Sequence, residues 1–312
     1  MTRLRICTVL AALVAGLWFQ PALAWGPQGH DIIIRVAYGR LTAPQRAKFD
    51  AIVAKGGTLK VEYVDDEGKS QRCSANSLGG LANWADCVRY GGPYKATYNA
   101  HFDDMPYCPK PPAPAPAKAS YCQDGICASA AIPRYIALLK APGTTDFERA
   151  AALAFIIHFV GDAHQPLHNI DNANDHGGNS VVVDIAPIKP DGQSRRTKLH
   201  KVWDGDVIKW VFSSEEVGVK ATAARAEALH ARWTSNDFGE AATARWSLAT
   251  HKLAVKAYDA VSPAPACGVT DGTVHKIDQA YFGKFNLDVQ DQLAAASVRL
   301  ADILEDALAA TP

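Results

Sequence analysis

The chain has 312 residues, 48% hydrophobic and 21% charged, and its 32 basic residues are matched by 32 acidic ones. This size suits one large globular domain or two small ones, and the basic stripe usual in a duplex-binding protein is not found. Anionic substrates stay open, because bound cations can dominate a local field.

The first 24 residues read as an export signal. Arg3 and Arg5 give a basic start, residues 9–19 are mostly apolar, and Ala22-Leu23-Ala24 offers a small-x-small cleavage site. The apolar run falls short of the ~20 residues of a membrane span. Cleavage after Ala24 would leave residues 25–312 without a membrane anchor, carrying 30 basic and 32 acidic residues and beginning at Trp25. It would also remove Cys7, leaving six cysteines, an even number that suits disulfides in a secreted or periplasmic protein. No Cys-x-x-Cys spacing occurs, so a zinc-thiolate site is not expected. Cys122 and Cys127 are near enough to close a local loop, and the remaining pairing stays open.

A helix carrying His30 is expected over residues 29–39. Thr42-Ala43-Pro44 looks like the start of a second, which Gly56 and Gly57 break. Residues 59–74 are polar and poorly periodic, a loop or a short hairpin. Over 77–89, Leu78, Leu81, Trp84 and Ala85 share one side of a helix. Asp86 lies on or beside that face, where a carboxylate needs a partner or a metal unless it reaches water at the helix margin. Residues 99–104 read as extended or turn-like. The proline-rich stretch 109–120, bracketed by Cys108 and Cys122, reads as an exposed loop rather than a linker. Helices follow over 130–139 and 146–164, the second apolar almost all round and therefore central.

That central helix carries His158 and Asp162, four apart and so on one face. Pro166 should end it, letting His168 turn back toward the same space. His176-Gly177-Gly178-Asn179 is a glycine turn whose backbone can approach a ligand. Residues 181–185 suit a short strand and 187–197 a loop. A helix over 198–212 repeats the i, i+4 spacing with His200 and Asp204, and further helices are expected over 214–233, 238–260 and 274–308. The architecture is mainly α, a single large helical domain with a short hairpin or strands.

Imidazole and carboxylate hold zinc in nitrogen/oxygen sites. One His/Asp pair is ordinarily a hydrogen-bonded contact, but two such faces with His168 between them point to metal. The candidate ligands are the new amino terminus at Trp25, His30, Asp86, His101, His158, Asp162, His168, His200 and Asp204. They suffice for more than one ion, and neighbouring zincs suit phosphate-ester hydrolysis. His164 reads as a helix-end residue supporting the ligands, and His176 as a surface residue. His230, His251 and His275 read as solvent-facing or core-edge, and Trp203, Trp210, Trp233 and Trp246 as core aromatics.

Six motifs follow one another along the chain: Trp25…His30, Trp84-Ala85-Asp86-x-x-Arg89, His101-Phe102-x-Asp104, His158-Phe159-x-Gly161-Asp162-x-His164-Gln165-Pro166-x-His168, Gly177-Gly178-Asn179 and Leu199-His200-x-x-Trp203-Asp204. The set closely resembles the zinc-dependent single-strand-specific nucleases of fungi, plants and bacteria, which share a fold with bacterial zinc phospholipases C. The resemblance spans nearly the whole of residues 25–312 and implies a catalytic domain with three zinc ions. Asp86, His101, His158 and Asp162 would hold the first. The amino group and carbonyl oxygen of Trp25, with His30 and a bridging Asp162, would hold the second, and His168, His200 and Asp204 the third. It further implies in-line attack on phosphorus by a hydroxide between the first two ions. The third zinc and Arg89 would stabilise the departing 3′ oxygen, giving 5′-phosphorylated products from single-stranded RNA and DNA, with 3′-nucleotidase action alongside.

Phe102 and Asp104 would form a nucleobase pocket, and Asn179 would line the phosphate side. Cys122–Cys127 and Cys108–Cys267 match bridges of that family, leaving Cys73–Cys87 as the third pair. A monomer without a stable protein partner is expected. The rival activity is zinc phospholipase C, whose members commonly carry Glu where this chain has Asp204. A purely structural or storage zinc protein would instead close its coordination shells.

Overall fold

The computed structural model describes residues 25–109, 116–187 and 193–311. The expected export signal lies outside these residues, as does 110–115 of the proline-rich stretch. Pro27 stands in the first turn of α1 (Gly26–Arg40), where its fixed φ suits a helix start, and the helix buries His30 with Ile32, Ile33 and Ile34. In front of α2 (Ala43–Gly56) the Thr42 amide donates to the Gln45 side chain at 2.7 Å. Residues 61–73 form the hairpin, β1 (Val61–Val64) paired antiparallel with β2 (Ser70–Cys73). Cys73 then bridges to Cys87 in α3 (Leu78–Val88), whose Ser77 cap accepts from the Gly80 amide.

A 3₁₀ helix, Gly92–His101, leads to extended backbone at Phe102. α4 (Ala128–Lys140) tolerates the internal Pro133 because the Ser129 carbonyl, deprived of its helical donor, accepts the Thr243 hydroxyl at 2.6 Å. α5 (Asp146–Asp162) opens on a reciprocal cap: the Thr145 hydroxyl accepts the Glu148 amide at 3.2 Å, and the Glu148 carboxylate accepts the Thr145 amide at 3.0 Å. Every residue of α5 from Ala150 to Asp162 is buried. The helix is surrounded by α1 to α4 and by the last helix of the chain, as an all-apolar surface requires.

After a 3₁₀ turn, Pro166–Asn169, come β3 (Val182–Ile185) and β4 (Arg195–Lys198). α6 (Leu199–Lys201) widens into a π turn, Val202–Asp206, and resumes as α7 (Val207–Val211). The remaining elements are α8 (Glu215–Ala228), α9 (His230–Trp233), α10 (Glu240–Asp259), β5 (Val274–Ile277) and α11 (Gln279–Ala310). The second sheet has the order β4-β3-β5, with β3 antiparallel to β4 and parallel to β5.

Several expectations need correction. β4 occupies part of the stretch expected as loop, because Arg195–Lys198 finds its hydrogen bonds on β3. The segment expected as one helix from 274 starts as β5, since β3 pairs with it and Asp278 caps α11 by accepting the Tyr281 amide at 3.2 Å. The helix expected over 214–233 breaks at Leu229. His275 and His251, read as solvent-facing or core-edge, are buried; the first meets the Pro263 carbonyl from β5, the second donates to the Asn169 carbonyl at 2.8 Å. Cys73–Cys87, Cys108–Cys267 and Cys122–Cys127 are all formed. Among the described residues no helix is long and apolar enough to cross a membrane.

Candidate metal centre

Six separate elements deliver the candidate ligands to one buried space. α1 supplies His30, α3 supplies Asp86, the 3₁₀ helix ends on His101, and the last turn of α5 supplies His158 and Asp162. The turn after α5 brings His168 back, as Pro166 demanded, and the α6–π segment carries His200 and Asp204. π turns are a frequent local distortion at functional sites, and this one contains Asp204.

The side chains form three groups whose candidate donor atoms lie within 4.8 Å of one another: His30, His158 and Asp162; Asp86, His101 and His158; and His168, His200 and Asp204. Asp162 joins them. Its Oδ1 stands 3.3 Å from His30 Nε2 and 3.8 Å from His168 Nδ1, while its Oδ2 stands 2.9 Å from His101 Nδ1 and 3.3 Å from His158 Nε2. Asp86 Oδ1 lies 3.5 Å from His158 Nε2 and 3.2 Å from Arg89 Nη1.

The hydrogen-bond pattern fits this nitrogen/oxygen set to metal. His158, His168 and His200 direct Nδ1 at the carbonyls of Ala82, His101 and Gly177, at 2.6, 2.8 and 2.7 Å. Each Nδ1 is therefore the donor, which in the neutral ring leaves Nε2 with a lone pair facing inward, the usual outer support of a metal-binding imidazole. Two of those acceptors, His168 Nε2 and His200 Nε2, face each other at 3.3 Å. A cation between them removes the repulsion; no hydrogen bond can while both tautomers stand. Both nitrogens of His30, both oxygens of Asp86, His158 Nε2 and Asp162 Oδ1 are likewise buried with no hydrogen-bond partner among the described residues. Buried polar groups left so are costly unless an ion satisfies them.

The electrostatics agree. Burial opposes ionisation of Asp162, yet His158, His168 and the other imidazoles outweigh it and hold the carboxyl well below its ordinary range. At Asp86 burial is likewise overcome, by Arg89 and His158, and the group is held low. His158 is raised to about 9, burial being outweighed by Asp162 and Asp86, so in the metal-free site its Nε2 holds a proton that a bound cation would displace. Burial takes His101 and His200 down to about 4, leaving them neutral and available as ligands. Asp204 goes the other way: burial, with Asp86 and Asp162, pushes it well above the carboxylate range against the opposing Gln165 hydrogen bond.

Two glycines permit the approach. Gly26 has φ 51°, and a Cβ there would lie 2.7 Å from the Asp204 carbonyl oxygen, so the Trp25–Gly26 end of α1 packs against the third group. Gly177 has φ 64°, and its Cβ would lie 2.1 Å from the Leu167 carbonyl oxygen, so only glycine lets this turn reach His200. Trp25 is fully buried.

The Phe102 ring lies 4.8 Å from the His168 ring. Asp104 is exposed; crowding by the protein, then the charges of Asp171, Asp103 and Asp175, raise its carboxyl, a shift that solvent at its surface reduces. Asn179 folds back to donate to the His176 carbonyl at 2.8 Å. His164 stays off the ligand set, its Nδ1 on the Val160 carbonyl and its Nε2 accepting from Arg299 at 2.6 Å. Two contributors carried no assigned role in the sequence. Gln165 donates to Asp204 Oδ1 at 2.7 Å while its oxygen takes the Leu167 amide, tying the turn that bears His168 to the π turn. Tyr90 accepts from Arg89 at 2.7 Å.

Comparison with known proteins places the whole arrangement. The S1/P1 nuclease family model matches residues 25–309. Endonuclease 2 of Arabidopsis thaliana is 28% identical over 291 residues, covering 90% of this chain and 89% of the relative. Nuclease S1 of Aspergillus oryzae is 28% identical over 226 residues, 70% of this chain and 66% of its own, and nuclease P1 of Penicillium citrinum 28% over 183, covering 58% and 57%. With three His/Asp groups arranged to hold zinc and a match along almost all of residues 25–312, the chain belongs to the S1/P1 nuclease family.

Proposed function

We propose that the chain is exported, is cut after Ala24, and acts alone as an endonuclease on single-stranded RNA and DNA, leaving 5′-phosphorylated products and also removing 3′ phosphates from nucleotides. The observation that carries this reading is the pair of inward lone pairs on His168 and His200, 3.3 Å apart beside the Asp162-centred groups. The proposed zinc ligands are Asp86, His101, His158 and Asp162; Trp25, His30 and Asp162; and His168, His200 and Asp204. Zinc in such sites supplies Lewis acidity toward phosphoryl oxygens and acidifies water.

The protein's own residues then bind and orient. Arg89, paired with Asp86 at 3.2 Å, brings a fixed guanidinium to the phosphate and to the charge growing on the leaving 3′ oxygen. Phe102 stacks on a base, Asp104 accepts from its edge, and Asn179 lines the phosphate side. With 32 acidic residues set against 30 basic ones after residue 24, the chain has no net positive charge to draw in phosphate, and zinc together with Arg89 would supply that attraction locally. Unpaired bases enter freely, whereas a duplex base must first be extracted at a cost of a few kcal/mol.

The Trp25 assignment links export to chemistry. An α-amine, with a reference pKa near about 8, can deprotonate onto a metal, but only a processed chain has one at this position. The burial of Trp25 and the packing of Gly26 against Asp204 support it, and three disulfides suit a secreted or periplasmic setting.

The test is hydrolysis of single-stranded RNA, single-stranded DNA, duplex DNA and phosphatidylcholine by protein starting at Trp25, before and after zinc removal. Zinc-dependent release of 5′-phosphorylated nucleotides from single strands is expected. Phosphocholine release alone would favour the phospholipase, and no turnover despite full zinc would favour a structural zinc protein. Equal zinc content and activity in a protein with one residue added before Trp25 would remove the amino-terminal ligand from the scheme.

A further inference from the structure

Tyr98 stands in the open beside the metal centre, 47% exposed on the 3₁₀ helix that ends in His101. A lone exposed aromatic needs no explanation, but this one continues a row of rings. From His168 the centroid spacing is 4.8 Å to Phe102, then 6.3 Å to Tyr98, then 5.9 Å to Tyr90. The Arg89 guanidinium lies 5.0 Å from the Tyr90 ring, 5.5 Å from Tyr98 and 5.6 Å from Phe102, a cation placed against all three.

We propose that Tyr98, backed by Tyr90, is a second base-stacking position, taking the base next along a single strand to the one that meets Phe102. This deepens the nuclease reading and rests on it. Base–aromatic stacking is tolerant of sequence because every base has a π-face. Arg89, nearly equidistant from the two rings, sets a positive charge against the linkage joining the two nucleotides. The Tyr98 and Phe102 rings are inclined by 57°, so bases lying on both would be tilted by a similar angle. Neighbouring bases in a duplex are parallel and cannot occupy both rings without unstacking. An unpaired strand can turn between them. The pair of rings therefore selects single strands as well as binding them, and favours oligonucleotides over mononucleotides.

The experiment compares kcat/KM of the zinc-loaded protein on a single-stranded tetranucleotide, the same tetranucleotide within a duplex, and a 3′-mononucleotide. Tyr98→Ala should lower the ratio of tetranucleotide to mononucleotide kcat/KM about 5- to 150-fold, the equivalent of one base–aromatic stack, chiefly through KM. It should also shrink the preference for single strand over duplex. Tyr98→Leu, which keeps bulk without a π-face, should behave alike, and Tyr98→Phe should keep the parent ratio within about twofold. A parent-like ratio in both the Ala and Leu variants would overturn the second stacking position. Phe102→Ala separates the two readings: a loss on both substrate lengths there, with none in the Tyr98 variants, leaves the first base position standing and the second refuted. No loss in Phe102→Ala refutes base stacking at the first position itself.

Discussion

Gly161→Ala is a small change that should disable the centre without replacing a candidate ligand. Gly161 lies in the last turn of α5, directly before Asp162, and a Cβ there would sit 2.6 Å from both Cε1 and Nδ1 of His30. Ordinary contact begins near 3.4 Å, so the imidazole must retreat by about 0.8 Å. It has little room, being stacked on His158 with ring centroids 4.1 Å apart and standing 3.3 Å from Asp162 Oδ1. Overpacking of this kind costs about 1–3 kcal/mol, and Gly→Ala in a helix returns about 1 kcal/mol, so the chain should stay folded with a melting temperature lowered by a few degrees. Displacement of a reacting or ligating group by about 1 Å costs on the order of 100-fold in rate. The assay is zinc per chain together with kcat on single-stranded DNA. We expect one zinc fewer than the parent and a fall in kcat of about 100-fold. Full zinc with kcat within about threefold would refute the claim that His30 and Asp162 share an ion.

Three further outcomes follow from the same geometry. Gln165→Leu removes the amide that holds Asp204, and zinc affinity at the His168–His200–Asp204 group should fall about 10- to 100-fold, measured by competition with a chelator; unchanged affinity would contradict the role given to Gln165. Replacing Cys108 and Cys267 by Ala opens a link spanning 159 residues and should cost about 2–5 kcal/mol, read from denaturant unfolding; an unchanged midpoint would show that the bridge constrains nothing. Burial holds the His251 imidazole below its ordinary pKa, so the unfolded chain takes up a proton at this position first. Its stabilising contribution is complete above about pH 6.5 and lost as the pH falls toward the folded pKa. His251→Gln, which can still donate to Asn169, should therefore have a shallower decline in melting temperature below about pH 6.5 than the parent at equal zinc loading, and a parallel decline would refute this.

The centre was legible where its logic is local. His158 and Asp162 share a helix face by spacing alone, Pro166 turns the chain back at His168, and the apolar run through Ala150–Val160 marks α5 as buried. What stayed hidden depends on partners distant in sequence. Arg195–Lys198 and Val274–Ile277 are four-residue strands made by pairing with β3, and neither has a strand pattern of its own. The burial of His251 and His275 stayed hidden because their neighbours are distant in sequence: α10 packs His251 against the turn that ends at Asn169, and β5 sets His275 against the Pro263 carbonyl. Gln165 sits inside a recognisable motif, but its hold on Asp204 crosses 39 positions. Nothing in the sequence around Tyr98 distinguishes it from any surface tyrosine; only its place in the row of rings does.

The central claim is that three zinc ions share one buried space walled by side chains from six elements. An anomalous-difference map at the zinc absorption edge, from crystals of protein beginning at Trp25, measures it directly. Three peaks are expected about 2.0–2.2 Å from their ligand nitrogens and oxygens, one touching both His30 and Asp162, one touching Asp86 and His158, and one touching His168, His200 and Asp204. Peaks confined to the surface, or a water-filled space between His168 and His200 in zinc-saturated crystals, would contradict it.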